Sequence, residues 1–162
     1  MLTKKIFSYN ITYRVINNFL QGGKMKVSTK GRYALRSLTH LAMAYKDNKM
    51  VTIKELSEKE KISNRYLENI FVKLRKAGIV DSQKGEKGGF YLIKPPEKIT
   101  MYDILKAVEN IMEPSECLID AKFCYRMKNC GMRKIWSKLN EHINNFLKQT
   151  NLKEITNEYL GE

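Results

Sequence analysis

The sequence has little of what an exported, disulfide-built or membrane-spanning protein needs. Only three of its 162 residues are cysteine, and the first 24 residues lack the continuous apolar stretch of a secretory signal. No apolar run approaches the ~18 residues that a membrane helix requires. These absences exclude a disulfide scaffold and a transmembrane helix, and they favour a protein that works in a reducing cytoplasm without a membrane partner.

Acidic residues are also scarce. The chain has 17 Asp and Glu against 30 Lys and Arg, which gives a net charge of +13. An excess of this size favours a polyanionic partner, nucleic acid before an anionic membrane surface. Composition alone does not separate a nucleic-acid binder from a protein that is merely basic. No acid–base pair, nucleophile–base arrangement or phosphate-binding loop stands out, so the sequence does not predict an enzyme.

Three segments are predicted along the chain. Residues 1–24 are expected to be a non-native or disordered extension, because 21–25 (QGGKM) matches a translated ribosome-binding site before a start codon. Residues 25–96 are expected to fold as one domain, which ends at the double proline Pro95-Pro96. Residues 97–162 are expected to contain a helix, a cysteine loop over 112–130, a long amphipathic helix and a short terminal helix.

Capping signals predict a helix-turn-helix within the first domain. Thr52 and Glu55 fit a capping box that opens a short helix, and Ser63 is placed to cap the next one with its hydroxyl. Leu67, at helical spacing from other apolar residues, begins the buried stripe of this second helix. Three-helix bundles that do not bind DNA share this pattern. The sequence after the second helix therefore has to distinguish them from a DNA-binding helix-turn-helix.

Two short strands around a turn rich in glycine and lysine follow directly. Residues 79–83 and 90–93 are predicted strands, and Gly78 is expected to end the preceding helix. Glycine lets a backbone approach a phosphate closely, and lysine supplies positive charge. The arrangement predicts a mainly α-helical fold, a winged helix-turn-helix with a two-stranded wing, that binds double-stranded DNA.

Candidate DNA contacts lie at the start of the second helix and in the wing. Arginine pairs with guanine and asparagine with adenine, whereas a carboxylate is unfavourable near DNA unless it accepts from cytosine or rejects a wrong site. Glu68 is therefore a candidate selector between sites; the alternative is that it only balances Arg65 or Lys73. The candidate contacts are Ser63, Arg65, Tyr66, Glu68, Asn69, Lys84, Gly85 and Lys87.

The helix around Trp136 has an apolar face that needs a partner. A symmetric homodimer formed through this face would present two reading helices to a palindromic operator. The alternative is that the helix packs on its own domain. The face is predicted to contain Ile135, Trp136, Leu139, Ile143, Phe146 and Leu147.

All three cysteines fall in the predicted loop, at Cys117, Cys124 and Cys130. Their spacing does not match common zinc sites, in which paired ligands lie two to four residues apart. Three thiolates are nearly enough for an iron–sulfur cluster, whose irons usually take four protein ligands. The alternative from the residues alone is that the thiols are incidental.

These features resemble the IscR/NsrR/RirA/CymR family of bacterial winged-helix transcriptional regulators, the Rrf family. The resemblance covers residues 25–160, and the quoted segments are 25–36, 62–74 and 84–91 together with the cysteine loop and the helix after it. It implies a dimeric transcriptional regulator, a repressor, in which Cys117, Cys124 and Cys130 hold a [2Fe–2S] or [4Fe–4S] cluster that senses iron and sulfur status, redox state or nitric oxide.

Two positions depart from the family pattern. Arg133 stands where IscR-type members have a histidine ligand, and Arg32 stands where some nitric-oxide sensors have an aspartate ligand. The fourth ligand is therefore unidentified. Some relatives carry no cluster and bind a cysteine-biosynthesis enzyme, which makes a cluster-free regulator of sulfur metabolism the alternative function.

Overall fold

The computed structural model describes residues 27–85, 88–109, 113–120, 122–126 and 129–161. The predicted extension over residues 1–24 and the wing residue Lys87 lie outside the described residues. Within the described part, the chain forms six α-helices and one two-stranded antiparallel sheet. The mainly α-helical, winged helix-turn-helix fold predicted from the sequence is confirmed.

Three helices with defined starts form the helix-turn-helix part. Helix α1 spans Thr29–Tyr45, α2 spans Ile53–Glu60, and α3 spans Asn64–Lys76. The predicted capping box opens α2, because the Thr52 hydroxyl accepts from the Glu55 amide at 3.2 Å and the Glu55 carboxylate accepts from the Thr52 amide at 2.7 Å. Lys61, with φ of 57°, makes the left-handed turn into α3.

The wing follows α3 through Gly78, whose φ of 68° confirms the predicted left-handed helix end. Strands β1 (Val80–Gln83) and β2 (Gly89–Leu92) pair antiparallel, with Val80 opposite Leu92. The predicted strands are each within one residue of these bounds. The sequence did not predict that Val51 and Phe90 form an additional bridge, with amide-to-carbonyl distances of 3.0 and 2.9 Å.

The C-terminal part contains α4 (Met101–Val108), α5 (Gly131–Gln149) and α6 (Leu152–Leu160). A capping box of Thr100 and Asp103 opens α4. The Met101 amide donates to the Thr150 carbonyl, and the Leu152 amide donates to the Ile99 carbonyl, both at 2.8 Å. Backbone hydrogen bonds therefore fix the start of α4 against the junction of α5 and α6.

The described residues divide into two compact units. One lies within 27–112 and 140–162, and the other lies within 113–139 and contains the cysteines. The predicted division at the double proline stays a prediction. None of the described helices is both long and apolar enough to cross a membrane. The core of the first unit consists of fully buried side chains, among them Leu38, Leu56, Leu67, Ile70, Phe71, Leu74, Val80, Ile104, Leu105, Val108 and Leu152.

Candidate nucleic-acid interface and cysteine loop

Helix α3 presents its first two turns to solvent. Leu67, Ile70 and Phe71 are completely buried on one side, whereas Arg65, Glu68 and Asn69 are exposed on the other. Tyr66 is half-buried, and its ring packs edge-on against Tyr33 with centroids 5.8 Å apart. The predicted contact residues of α3 therefore lie on one accessible side of the helix, as groove reading requires.

Ser63 occupies the N-cap position of α3, but its hydroxyl makes no capping hydrogen bond. The prediction of a hydroxyl cap was wrong. The amides of Tyr66 and Leu67 donate instead to the Ser63 carbonyl, at 3.0 and 3.1 Å. Because the backbone carbonyl already serves these amides, the exposed hydroxyl is available for another partner.

Glu68 makes no ion pair within 4.0 Å with any residue that the structure describes. Lys73, one of the two predicted balancing partners, donates instead to the carbonyl of Val108 at 3.3 Å. The described contacts thus give no support to the alternative that Glu68 balances a neighbouring cation. Its role as a selector stays a prediction.

The wing is anchored to α3 by two side-chain contacts. The Phe90 ring lies against Phe71 with centroids 4.7 Å apart, and Arg75 Nε lies 2.9 Å from Asp81 Oδ1. Both contacts join the reading helix directly to a wing strand. The wing and the reading helix are therefore held at a defined separation, which two-point contact with a duplex needs.

The tip of the wing depends on glycine. Gly85 has a φ of 126°, which L side chains rarely adopt, and the Gly88 amide donates to the Gly85 carbonyl at 3.0 Å. A Cβ on Gly88 would lie 2.3 Å from the Gln83 carbonyl oxygen, so only glycine fits there. Lys84 is exposed beside this tight turn. The charge of Lys84 and the glycine backbone of the turn, which can approach a phosphate closely, form the predicted phosphate-contacting part of the wing.

The cysteine loop contains a short 3-10 turn at Glu116–Leu118, and Cys117, Cys124 and Cys130 are free and half-buried. Cys117 Sγ lies 3.2 Å from the hydroxyl oxygen of Ser115. Among the described residues, no group of three or more His, Cys, Asp or Glu side chains is arranged to hold a metal ion. The three thiols share one loop but do not converge on one point.

Arg133 contacts the same loop. Its Nε donates to the carbonyl of Cys117 at 3.2 Å. A guanidinium has no lone pair to offer a metal in a protein, so Arg133 does not replace the histidine ligand of the family pattern. It instead joins the first turn of α5 to the backbone of the first cysteine.

Two polar clusters in the unit formed by 27–112 and 140–162 were missed by the sequence reasoning. Glu109 accepts from both the amide and the hydroxyl of Ser28. Glu60, whose side chain is 1% exposed, contacts Arg36 and His40. Both clusters join residues far apart in the chain, and neither has a local sequence signal.

Helix α5 leaves half of its predicted apolar face exposed to solvent. Ile135 is 52% exposed, Trp136 36% and Phe146 62%, whereas Leu139 and Ile143 are half-buried and Leu147 is buried. Met132, one turn before Trp136, is also exposed. Exposed apolar surface of this extent marks an interaction site more often than a solvated one. Three of the six residues of the predicted face are thus exposed in this chain and are available to a partner.

The chain matches known proteins over most of its length. Residues 27–158 match the Rrf2 family, described as "Iron-dependent Transcriptional regulator". The transcriptional regulator IscR of Cereibacter sphaeroides is 41% identical over 135 residues, which cover 81% of this chain and 86% of the relative.

Two solved structures are also similar. CymR, described as the global cysteine regulator of B. subtilis, superposes with a TM-score of 0.68 at 29% identity and covers 82% of this chain and 97% of its own. IscR of T. potens superposes with a TM-score of 0.66 at 29% identity and covers 83% and 88%. The named relatives are transcriptional regulators, which confirms the prediction that the chain is not an enzyme.

Proposed function

Because the chain belongs to the Rrf2 family of transcriptional regulators, we propose that it is a homodimeric repressor controlled by an iron–sulfur cluster. The dimer binds a palindromic operator in double-stranded DNA in the cytoplasm. The observation that carries the DNA-binding part is the exposed leading end of α3 beside an anchored, glycine-tipped wing. The cluster part rests on the three thiols gathered in one loop and on the similarity to IscR.

In the proposed DNA-contact surface, the residues of α3 and those of the wing have different roles. Arg65, Glu68 and Asn69 face outward from the reading helix and are suited to base edges, whereas Ser63 and Tyr66 lie at its start and side. Lys84, Gly85 and Lys87 of the wing are suited to phosphates. Base contacts provide discrimination between sequences, and phosphate contacts provide affinity and register.

For the proposed input, Cys117, Cys124 and Cys130 would hold the cluster as thiolates. The donor chemistry fits iron and sulfide, and the half-buried thiols remain accessible to both. An iron–sulfur cluster supplies redox and ligand-exchange chemistry that responds to iron, sulfur, oxidants or nitric oxide. The loop has to bring its thiols together to bind it, and the fourth ligand comes from elsewhere, since Arg133 does not ligate. The cluster would be a [2Fe–2S] or a [4Fe–4S] centre, since both types usually take four protein ligands.

Replacement of Lys84 and of Asn69 tests the division of roles. Lys84→Ala should weaken binding to operator and random DNA alike and reduce the slope of log K against log salt by about 1, because one phosphate contact is lost. Asn69→Ala should instead relax discrimination at one base pair by about 1–3 kcal/mol. Fluorescence anisotropy over a salt series and a panel of operator variants measures both. A uniform loss from Asn69→Ala would show that Asn69 is not a base reader.

Anaerobic purification tests the cluster. The native chain should be coloured and contain iron and acid-labile sulfide, and Cys124→Ala should lose both while its far-UV circular dichroism is retained. Mössbauer spectra then identify the cluster type, and titration of operator DNA with and without cluster measures the control. Equal affinity in the two states would refute cluster control without affecting the assignment as a DNA-binding regulator.

The similarity to CymR favours a second candidate function. In this alternative the chain is a cluster-free regulator of sulfur metabolism that is controlled by binding a cysteine-biosynthesis enzyme. Anaerobic protein that is colourless and free of iron would favour it. Pull-down with such an enzyme, followed by operator titration of the complex, would then provide the direct test.

A further inference from the structure

The carboxylate of Glu109 joins the end of α4 to the start of α1. Glu109 Oε1 accepts from the Ser28 amide at 3.1 Å and from the Ser28 hydroxyl at 2.5 Å. The same hydroxyl oxygen accepts from the Gly31 amide at 3.2 Å and so caps α1. The first cap of the DNA-binding domain is thus completed by a residue 81 positions away in the chain.

Gly31 leaves the space that the carboxylate occupies. It is buried within α1, and a Cβ at this position would lie 2.5 Å from Glu109 Oε1 and 2.9 Å from Leu105 Cδ2. Glycine inside a helix costs about 1 kcal/mol relative to alanine. Glycine at position 31 therefore makes α1 less stable than alanine would, but it leaves room for the Glu109 carboxylate.

Val108, which precedes Glu109 in the chain, contacts the reading helix α3. Lys73 of α3 donates from Nζ to the carbonyl of Val108 at 3.3 Å. Desolvation and the adjacent charge of Lys30 lower the pKa of Lys73, and the negative charge of Glu109 opposes this shift. Two consecutive residues at the end of α4 are therefore joined to two different helices of the DNA-binding domain.

Beyond Glu109 the chain continues directly into the cysteine loop. We propose that Glu109 is a positioning residue that transmits the state of this loop to the reading helix, by holding the α4 end against Ser28 while Val108 holds Lys73. This inference rests on the proposed control of DNA binding from the loop. A rearrangement of the loop displaces the end of α4, and the two attachments carry the displacement to α1 and α3.

Two variants of the full chain disturb the contact in different ways. Glu109→Ala removes the carboxylate, and Gly31→Ala displaces it while leaving it in the sequence. Each should reduce the ratio of operator affinities with and without cluster by at least about threefold toward 1, a loss of about 0.6 kcal/mol or more of coupling. The salt slope should stay unchanged, because an anionic carboxylate bound to Ser28 does not neutralise a phosphate. Glu58→Ala, which removes an exposed glutamate of α2, is the matched control and should leave the ratio unaltered.

The double variant separates positioning from general destabilisation. Because both substitutions act on one contact, the double variant should alter the ratio no more than either single variant. Additive effects, or a native ratio in both single variants when the native protein does respond to its cluster, would overturn the proposal. If helix propensity alone mattered, Gly31→Ala would raise the melting temperature and leave the affinity ratio unchanged.

A measurement on cluster-free protein keeps this inference separate from the proposed function. Amide hydrogen exchange in Glu109→Ala should accelerate at residues 28–32 and in the second half of α3 around Lys73, while α2 exchanges at the native rate. If the native protein binds operator equally in both cluster states, the proposed cluster control is wrong. The exchange data then test separately whether Glu109 and Val108 connect the end of α4 to α1 and α3. Unchanged exchange in α3 would overturn that link.

Discussion

Ile135→Glu is expected to dissociate the homodimer and to lower operator affinity by about 100-fold or more. Ile135 is 52% exposed and lies between Met132 and Trp136 on the apolar side of α5. A glutamate there would place a charge in a surface that association has to desolvate. Monomers would then bind the two half-sites independently. Linkage of two binding sites raises the overall affinity by about 10²–10⁴, and the monomers would lose this increase.

The control for this variant is Ser137→Glu, which adds the same charge to an exposed position turned away from that side of the helix. Sedimentation velocity should show twice the monomer mass for the native chain and for Ser137→Glu, but monomer for Ile135→Glu. Operator titrations on full and half-sites should show equal half-site affinity for all three proteins. A dimeric Ile135→Glu protein would show that this part of α5 is not the association surface.

Local signals account for the parts of the fold that the sequence predicted well. The Thr52–Glu55 capping box, the left-handed Gly78 and the amphipathic spacing of α3 each depend on residues within four positions of one another. Such patterns constrain the backbone before tertiary contacts form. The candidate contacts on α3 followed from the same spacing, because fixing the buried side of a helix also fixes its exposed side.

Long-range contacts explain what the sequence did not predict. The bridge between Val51 and Phe90 and the hydrogen bonds between Ser28 and Glu109 join residues that no periodicity relates. The missing hydroxyl cap of Ser63 has a different cause, since Ser63 fits the cap pattern but its carbonyl provides the hydrogen bonds. The residue type correctly predicted that Ser63 accepts hydrogen bonds from the first amides of α3. Only the structure shows that the accepting atom is the carbonyl oxygen and not the hydroxyl oxygen.

The cysteine loop marks the limit of sequence reasoning about the candidate site. The family resemblance implied three cysteine ligands, and the structure places all three in one loop without converging them. Whether three side chains converge on one point depends on the fold of the loop, which residue type alone does not determine. The contact of Arg133 with the Cys117 carbonyl shows that the first turn of α5 touches the loop without supplying a ligand.

Glu60→Ala is expected to lower the free energy of unfolding by about 2–3 kcal/mol at pH 7. The Glu60 side chain is 1% exposed, and its carboxylate accepts from His40 Nε2 at 2.6 Å and from the Tyr159 hydroxyl at 3.2 Å. Arg36 Nη2 lies 2.5 Å from the other oxygen, an ion pair without hydrogen-bond geometry. The loss stays below that of a fully buried ion pair, because the half-exposed Arg36 rehydrates once its partner is removed.

The same cluster predicts how this difference depends on pH. Burial raises the pKa of Glu60, but the hydrogen bond from His40, the charge of Arg36 and the hydrogen bond from Tyr159 together hold it below its ordinary value of 4.5. A carboxyl with a lowered pKa in the folded state stabilises the protein fully above about pH 4.5 and loses that contribution as the pH falls through the folded value. Urea melts of cluster-free protein should therefore show native and Glu60→Gln stabilities that differ at pH 6–7 and converge as the pH falls through the lowered folded-state pKa of Glu60. Glu58→Ala should stay within about 0.5 kcal/mol of the native protein throughout. A gap between the native protein and Glu60→Gln that did not narrow as the pH fell below 4.5 would mean that shape, and not charge, accounts for the contribution of Glu60.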